Sequence, residues 1–223
     1  MEPRTPLNRQ RILVAAIALA DDGGVEALSM RRLAQELGVV PMALYKHVAN
    51  KDELLDGMLD GMLDAVIGEI SLPAAGGDWK PALRGLILSA RRGLLRHPWA
   101  ARVLETRSTS TPAIMTYMDA VVGILRGGGF SIDLTHHALH AMGSRVLGFS
   151  QELFDDSAVA DPALVPAMLR ELAPYPHITE VVSAITHDQG TVVGVGCDDQ
   201  AEFEFALDLL LDGLERLRDR EAR

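Results

Sequence analysis

Apolar residues recur three and four positions apart along most of the chain, and almost nowhere alternate as a half-buried strand requires. Ile12, Leu13, Ala16, Ile17 and Ala20 share one such face, which predicts a helix from about Leu7 to Ala20, ended by Asp21-Asp22-Gly23-Gly24. Ser29 is a good N-cap for a short second helix with Leu33, Ala34 and Leu37 inward, and Gly38 supplies the left-handed position that stops it. Pro41 suits the first turn of a two-turn helix through Met42, Leu44, Tyr45 and His47, because its missing N–H costs nothing there. Asn50 and Glu53 form a capping pattern that opens a fourth helix, to about Ile70.

After a loop at Ser71–Asp78 the same periodicity predicts helices over Trp79–Arg96, Trp99–Glu105 and Pro112–Arg126. A long helix is predicted from Ile132 to Phe154, and further ones from Asp161 to Leu172 and near Ile178–His187. The Gly-rich tract Gln189–Asp199 reads as a loop before a final amphipathic helix, Gln200–Arg218. The fold class is all-α, without internal repeats. The boundaries divide it into a head (1–50), a connecting helix (51–70) and a helical body (71–223).

Composition sharpens this picture in two places. No charge-free apolar run approaches the roughly 20 residues of a membrane span, no signal-peptide core opens the chain, and the lone Cys197 cannot form an internal disulfide. A cytoplasmic protein with no membrane partner is expected. The net charge of −10 argues against nucleic acid until it is divided. Residues 1–51 carry seven Lys/Arg against five acids, giving +2, and the remainder carries 14 against 26, giving −12. Only the head suits a polyanion.

A short helix, a Gly turn and a second short helix form the pattern that places its second helix in the major groove. With Leu44 and Val48 assigned to packing, Pro41, Met42, Ala43, Tyr45, Lys46 and His47 remain on outward faces. Tyr45, Lys46 and His47 suit phosphates, and the three apolar residues suit thymine methyls. Arg31 is the candidate for a guanine, and Lys51 with the fourth helix's N-terminus for a phosphate clamp.

Other chemistry is sparse. His136 and His140 lie four apart on one helix face beside His137, a spacing that metal sites use. With no Glu or Cys beside them, surface or interface histidines are the expected reading, and no metal is assigned. Without a nucleophile elbow or a Gly-rich phosphate loop, no enzyme and no cofactor are expected. The rival function class is a helical metal- or small-molecule-binding protein, using the His136/His140 face, that does not read DNA specifically.

The segments ILVAAIALADDGG, ALSMRRLAQELGV and ALYKHVANKDELL carry a resemblance to the DNA-binding head of the tetracycline-repressor (TetR) family of bacterial regulators. LLRHPWAARVLETR and GGGFSIDL resemble the tetracycline repressors' own C-terminal domain. The resemblance implies a homodimer that reads a palindromic double-stranded operator and is released by a small-molecule effector. On that pattern Ser29, Met30, Arg31, Pro41, Met42, Ala43, Tyr45, His47 and Lys51 fall on DNA-contacting positions. The helices near 132–154 and 200–218 would pair with their two-fold mates, with Leu207 and Leu211 in that interface.

The family's tetracycline sensors hold a magnesium–drug chelate through two His and one Glu. Here Glu152 matches the Glu, but Ile67 and Val103 stand at the His positions, and neither can ligate a hard cation. The resemblance implies instead a cavity among helices 79–96, 112–126 and 132–154. Its candidate lining is Leu86, Ala90, Val103, Thr106, Arg107, Met118, Val121, Met142, Arg145 and Phe149. That mixture suits an apolar or weakly anionic organic molecule.

Overall fold

Helices in the computed structural model begin where short polar side chains can satisfy their free N–H groups. The structure describes residues 6–69, 77–106, 110–149, 165–180 and 199–223. Its helices are α1 (Arg9–Ala27), α2 (Met30–Leu37), α3 (Pro41–Leu44), α4 (Lys51–Gly68), α5 (Trp79–Arg96), α6 (Trp99–Thr106), α7 (Pro112–Gly127) and α8 (Ile132–Met142). A 3-10 segment (Gly143–Leu147), α9 (Val165–Leu172) and α10 (Asp199–Glu221) follow, and residues 176–180 are also helical. The described residues contain no strand. Asn8, Ser29, Asn50, Asp78, Thr111 and Ser131 each accept a backbone N–H in the first turn of the helix that follows. At α4 the cap is doubled, because Glu53 reaches back to accept Ala49 N–H at 2.6 Å.

Two compact units divide the chain: Met1–Phe149 with Leu214–Arg223, and Ser150–Gly213. The core of the first is built around α4, which packs on α1, α5 and α7. Leu54, Met58, Leu59 and Leu63 are buried there, each contributing about 1.5–3 kcal/mol through burial. Its far end is closed by Trp79, edge-on to Phe130 with ring centres 4.7 Å apart. The Arg218 guanidinium lies 5.6 Å from the Trp79 ring centre, and Lys80 pairs with Glu215 at 2.8 Å. In the second unit α10 buries Phe203, Leu207 and Leu211, while Phe205 and Leu209 are exposed. Leu207 and Leu211 are therefore taken up within the protomer, which corrects their assignment to a subunit interface.

Three helix boundaries differ from the sequence expectation. α1 does not stop at Ala20 but continues through Asp21-Asp22-Gly23 to a kink at Gly24. The added turns pack on α6, where Asp21 and Glu26 find Trp99 and Arg102 as partners. α3 has a single α-helical turn, with residues 45–47 in a looser turn closed by His47 N–H to Leu44 O at 2.9 Å. The predicted helix 132–154 ends at Met142. Tyr117 Oη and Arg91 Nη1 donate to the carbonyls of Val146 (2.6 Å) and Gly148 (3.2 Å), which regular helical bonding would otherwise claim. The loop at 71–76, Arg107, Glu152, the start of the helix at Asp161, residues 181–187 and most of the tract 189–199 lie outside the described residues.

Candidate DNA interface and effector pocket

The head turn is fixed by a few local bonds. Ser29 Oγ accepts Arg32 N–H at 3.2 Å and starts α2, which buries Leu33 and Ala34. Gly38 then takes φ 67° and ψ 34°, a conformation in which a Cβ is penalised. That reversal lets Val39 N–H reach Ala34 O at 2.9 Å and Gly38 N–H reach Gln35 O at 3.1 Å. Leu44 and Val48 pack inside, so the rest of the segment must face outward.

Exposure follows that rule. Ser29, Arg31, Pro41, Met42, Tyr45 and Lys46 are exposed, with Met42 at 72 %. Met30, Ala43 and His47 are half-buried. Sequence reasoning passed over Val40, which is 68 % exposed beside Pro41 and extends the same apolar edge. Its place just before a Pro-started helix is the signal that could have found it. Lys51 is half-buried, and its Nζ donates to Val25 O at 3.2 Å near the C-terminal end of α1. A cation satisfying a helix's last carbonyls is stabilising there. Lys51 thus has a structural partner that the phosphate-clamp expectation did not foresee.

A second polar cluster, which the sequence reading took only as a helix stop, ties the first helix to the α5–α6 corner. Asp21 Oδ1 accepts Trp99 Nε1–H at 2.7 Å and lies 2.9 Å from His97 Nδ1. Trp99 is buried, so its N–H depends on this partner. Arg102 adds an ion pair to Glu26 at 2.7 Å. Together with α4 packing on α5 and α6, these contacts connect the two-helix reader to the body by more than its connecting helix. Beside them a cavity of about 110 Å³ is lined by Ile17, Met62, Val66, Glu69, Ser89 and His97, among others. It shares no residue with the effector pocket expected from the sequence.

Of that expected pocket, Leu86, Ala90, Val103, Val121 and Met142 are buried, while Met118, Arg145 and Phe149 are half-buried. Thr106 is exposed and its hydroxyl donates to Val103 O, and Arg107 is not among the described residues. α5, α7 and α8 meet around the 3-10 segment. There burial pushes the Tyr117 phenol strongly up, so it remains a neutral donor at any physiological pH. Arg91 is buried with a bond to Gly148 O, and Arg145 Nε is buried without a hydrogen-bond partner among the described residues. An unpaired buried guanidinium N–H leaves a donor for an incoming oxygen. Ile67 is half-buried and Val103 is buried, so the positions matched to the tetracycline sensors' histidines offer hydrocarbon only.

Comparison with known proteins agrees with this arrangement over both parts of the chain. Residues 12–58 match the family described as bacterial regulatory proteins, tetR family, and residues 72–218 match the tetracyclin repressor-like C-terminal domain. An HTH-type transcriptional regulator of Saccharopolyspora erythraea is 32% identical, covering 93% of this chain and 84% of the relative. The tetracycline repressor protein class D of Escherichia coli is 37% identical, over 74% of this chain and 78% of the relative. Among solved structures, the TetR family protein ActR of Streptomyces coelicolor in complex with (S)-DNPA superposes with a TM-score of 0.70 at 30% identity. It covers 94% of this chain and 98% of its own.

Proposed function

This chain belongs to the tetR family of bacterial regulatory proteins, and from that premise we propose that it represses transcription as a homodimer on a palindromic operator and is released when a small organic molecule enters its body. The family consists of transcriptional regulators, not enzymes, and no described helix is long and apolar enough to cross a membrane. The metal-binding reading without DNA recognition is set aside by that membership. We assign residues 1–50 to the DNA-reading head, 51–70 to the connecting helix and 71–223 to the body, in a protein that works in the cytoplasm.

The observation that carries the proposal is the outward face from Ser29 to His47. Val40, Pro41 and Met42 form an exposed apolar edge suited to thymine methyls. Arg31 stands beside Met30 at the start of α2 as the guanine reader, and Tyr45, Lys46 and His47 fit the phosphates. Ala43, half-buried, completes the approach of α3 to the groove. Lys51 supports this face by holding the end of α1 rather than as a free clamp. The dimer contacts proposed here use the solvent-facing residues of α8 and α10, namely Ile132 on the first and Phe205 and Leu209 on the second.

For the effector, the residues Leu86, Ala90, Val103, Met118, Val121, Met142, Arg145 and Phe149 support an apolar or weakly anionic organic molecule, with Arg145 Nε as its oxygen anchor. The similar TetR family protein ActR of Streptomyces coelicolor forms a complex with (S)-DNPA. A magnesium–tetracycline chelate is disfavoured by Ile67 and Val103. Binding that favours a wider spacing of the two heads would move the population off DNA.

Selection from a random DNA pool tests the reading. An enriched palindrome with half-site centres about 10 base pairs apart is expected. Arg31→Ala should blunt the base preference, and Tyr45→Ala should weaken binding to all sequences alike. No enrichment, or unchanged binding in both variants, would overturn it.

A further inference from the structure

Side-chain amines are rare in this chain, and their surroundings differ sharply. Of its 21 basic residues only three are lysines, Lys46, Lys51 and Lys80, and the rest are arginines. A guanidinium keeps its proton and is no nucleophile, whereas a lysine Nζ becomes one once it gives up a proton. Reactivity of these side chains toward acyl groups therefore depends on where three residues lie.

Two of the three are engaged. Lys51 is half-buried, and its Nζ donates to Val25 O at 3.2 Å. Lys80 is also half-buried, and its Nζ donates to Glu215 Oε2 at 2.8 Å. To attack a carbonyl, either nitrogen must first leave that partner and turn its lone pair outward. Lys46 is different on both counts. It is exposed, and it makes no hydrogen bond or ion pair among the described residues. Its backbone explains this. Residues 45–47 form the turn after α3, closed by His47 N–H to Leu44 O at 2.9 Å, while Leu44 and Val48 take the inner side. The residues three and four positions away, Met42, Ala43, Ala49 and Asn50, include no acid to pair with it.

We propose that Lys46 is an acylation site, at which an activated acyl donor, a thioester or an acyl phosphate, modifies Nζ and loosens the head from DNA. In the step the ammonium gives one proton to water, and the freed lone pair forms an N–C bond to the acyl carbon. The bond from that carbon to sulfur or phosphate oxygen breaks. The leaving group departs with its electron pair and takes up the second proton shed by the nitrogen. The product is a neutral amide. The inference rests on the reading of Ser29–His47 as the DNA face. Residues 1–51 then pass from seven basic residues against five acids to six against five, so the head falls from +2 to +1. One phosphate contact is lost per head, and two per dimer. DNA covers this face, so the step belongs to the released protein and keeps it from rebinding.

The test treats full-length, DNA-free protein with acetyl phosphate and, separately, with acetyl-coenzyme A, and maps acetyl-lysine by mass spectrometry. Lys46 should react several-fold faster than Lys51 and Lys80 with at least one donor, and the donor that reacts identifies the source. Treated protein should bind the duplex enriched from the random pool at least about tenfold more weakly at near-physiological salt. Its slope of log affinity against log salt should flatten by about 2 per dimer. Lys46→Arg has no acylable amine there, so treatment should not alter whatever affinity it has, whereas Lys80→Arg should lose affinity on treatment as the parent does. The inference is overturned if Lys46 reacts no faster than the other two lysines with both donors. It is overturned equally if treatment weakens Lys46→Arg as much as the parent, or if protein fully acetylated at Lys46 binds as before. An untreated parent that enriches no duplex overturns the DNA reading and the effect inferred from it, while the lysine mapping stands as a separate result.

Discussion

Removal of the Asp21 carboxylate should loosen the head from the body, and the size of the effect can be worked from its two contacts. Asp21→Ala deletes the acceptor of the Trp99 indole N–H at 2.7 Å and the partner of His97 Nδ1 at 2.9 Å. Trp99 is 2 % exposed, so its N–H is left without water as a substitute. Leaving one buried donor unsatisfied costs about 1–3 kcal/mol. The His97 contact is nearer solvent and contributes at the low end of what an exposed pair supplies, roughly 0–1 kcal/mol. A loss of about 2 kcal/mol lowers the melting temperature of a chain this size by roughly 4–8 °C.

Asp22→Ala is the control. Asp22 is an exposed neighbour whose nearest cation, Arg32, is 3.9 Å away, and its removal should stay within about 0.5 kcal/mol. Thermal unfolding of both variants, with Trp99→Phe alone and combined with Asp21→Ala, isolates the indole bond as a coupling energy. Hydrogen exchange should also show the second half of α1 opening first in Asp21→Ala. If Asp21→Ala melts with Asp22→Ala, or the double variant is strictly additive, the polar tie carries no energy and the reasoning fails.

Three further outcomes are expected. Phe205→Asp should yield a folded monomer in sedimentation velocity, whereas Leu207→Asp should lower the melting temperature by placing an unpaired charge inside the protomer; a folded Leu207→Asp monomer would reverse the two assignments. Gly148→Ala should destabilise by about 2 kcal/mol or more, because φ is +86° and a Cβ would stand 2.5 Å from Arg91 N. Gly38→Ala, with open space around the same atom, should lose only the roughly 1 kcal/mol of its left-handed backbone, and equal melting temperatures would refute the contact argument. Arg145→Met should melt no lower than the parent, since it removes a buried N–H that has no partner among the described residues, and should lose the thermal shift produced by carboxylate-bearing aromatic ligands. A retained shift would exclude Arg145 as the anchor.

What could be read along the chain was local. Ser29, Gly38, Pro41 and Asn50 act on backbone groups within a few residues, so α2, α3 and α4 begin within a residue of where these signals put them, and the face left for DNA follows from the residues consumed by packing. The body's α5, α6 and α7 were equally legible from apolar spacing. Local signals failed where a distant partner outweighed them. Asp21-Asp22-Gly23-Gly24 has the composition of a helix stop, yet α6 supplies hydrogen bonds that reward continuing the helix past it. The run after Met142 has helical periodicity, yet Arg91 and Tyr117, far away in sequence, claim its carbonyls and draw it into a 3-10 turn.

The same division holds for the residues tied to function. Residue type and spacing alone carried the helical class and the capped two-helix reader, and the resemblance to the tetracycline repressors placed Ile67 and Val103 where their chelating histidines stand. Packing in three dimensions set the rest: Lys51 is turned onto α1, Leu207 and Leu211 lie inside the protomer while Phe205 faces out, and Arg145 Nε is buried without a partner among the described residues. An amphipathic helix such as α10 carries apolar residues on more of its surface than one neighbour can cover. Which stripe the protomer buries, and which it leaves for another molecule, is set by the packing of elements distant in sequence, and no spacing along the helix encodes it.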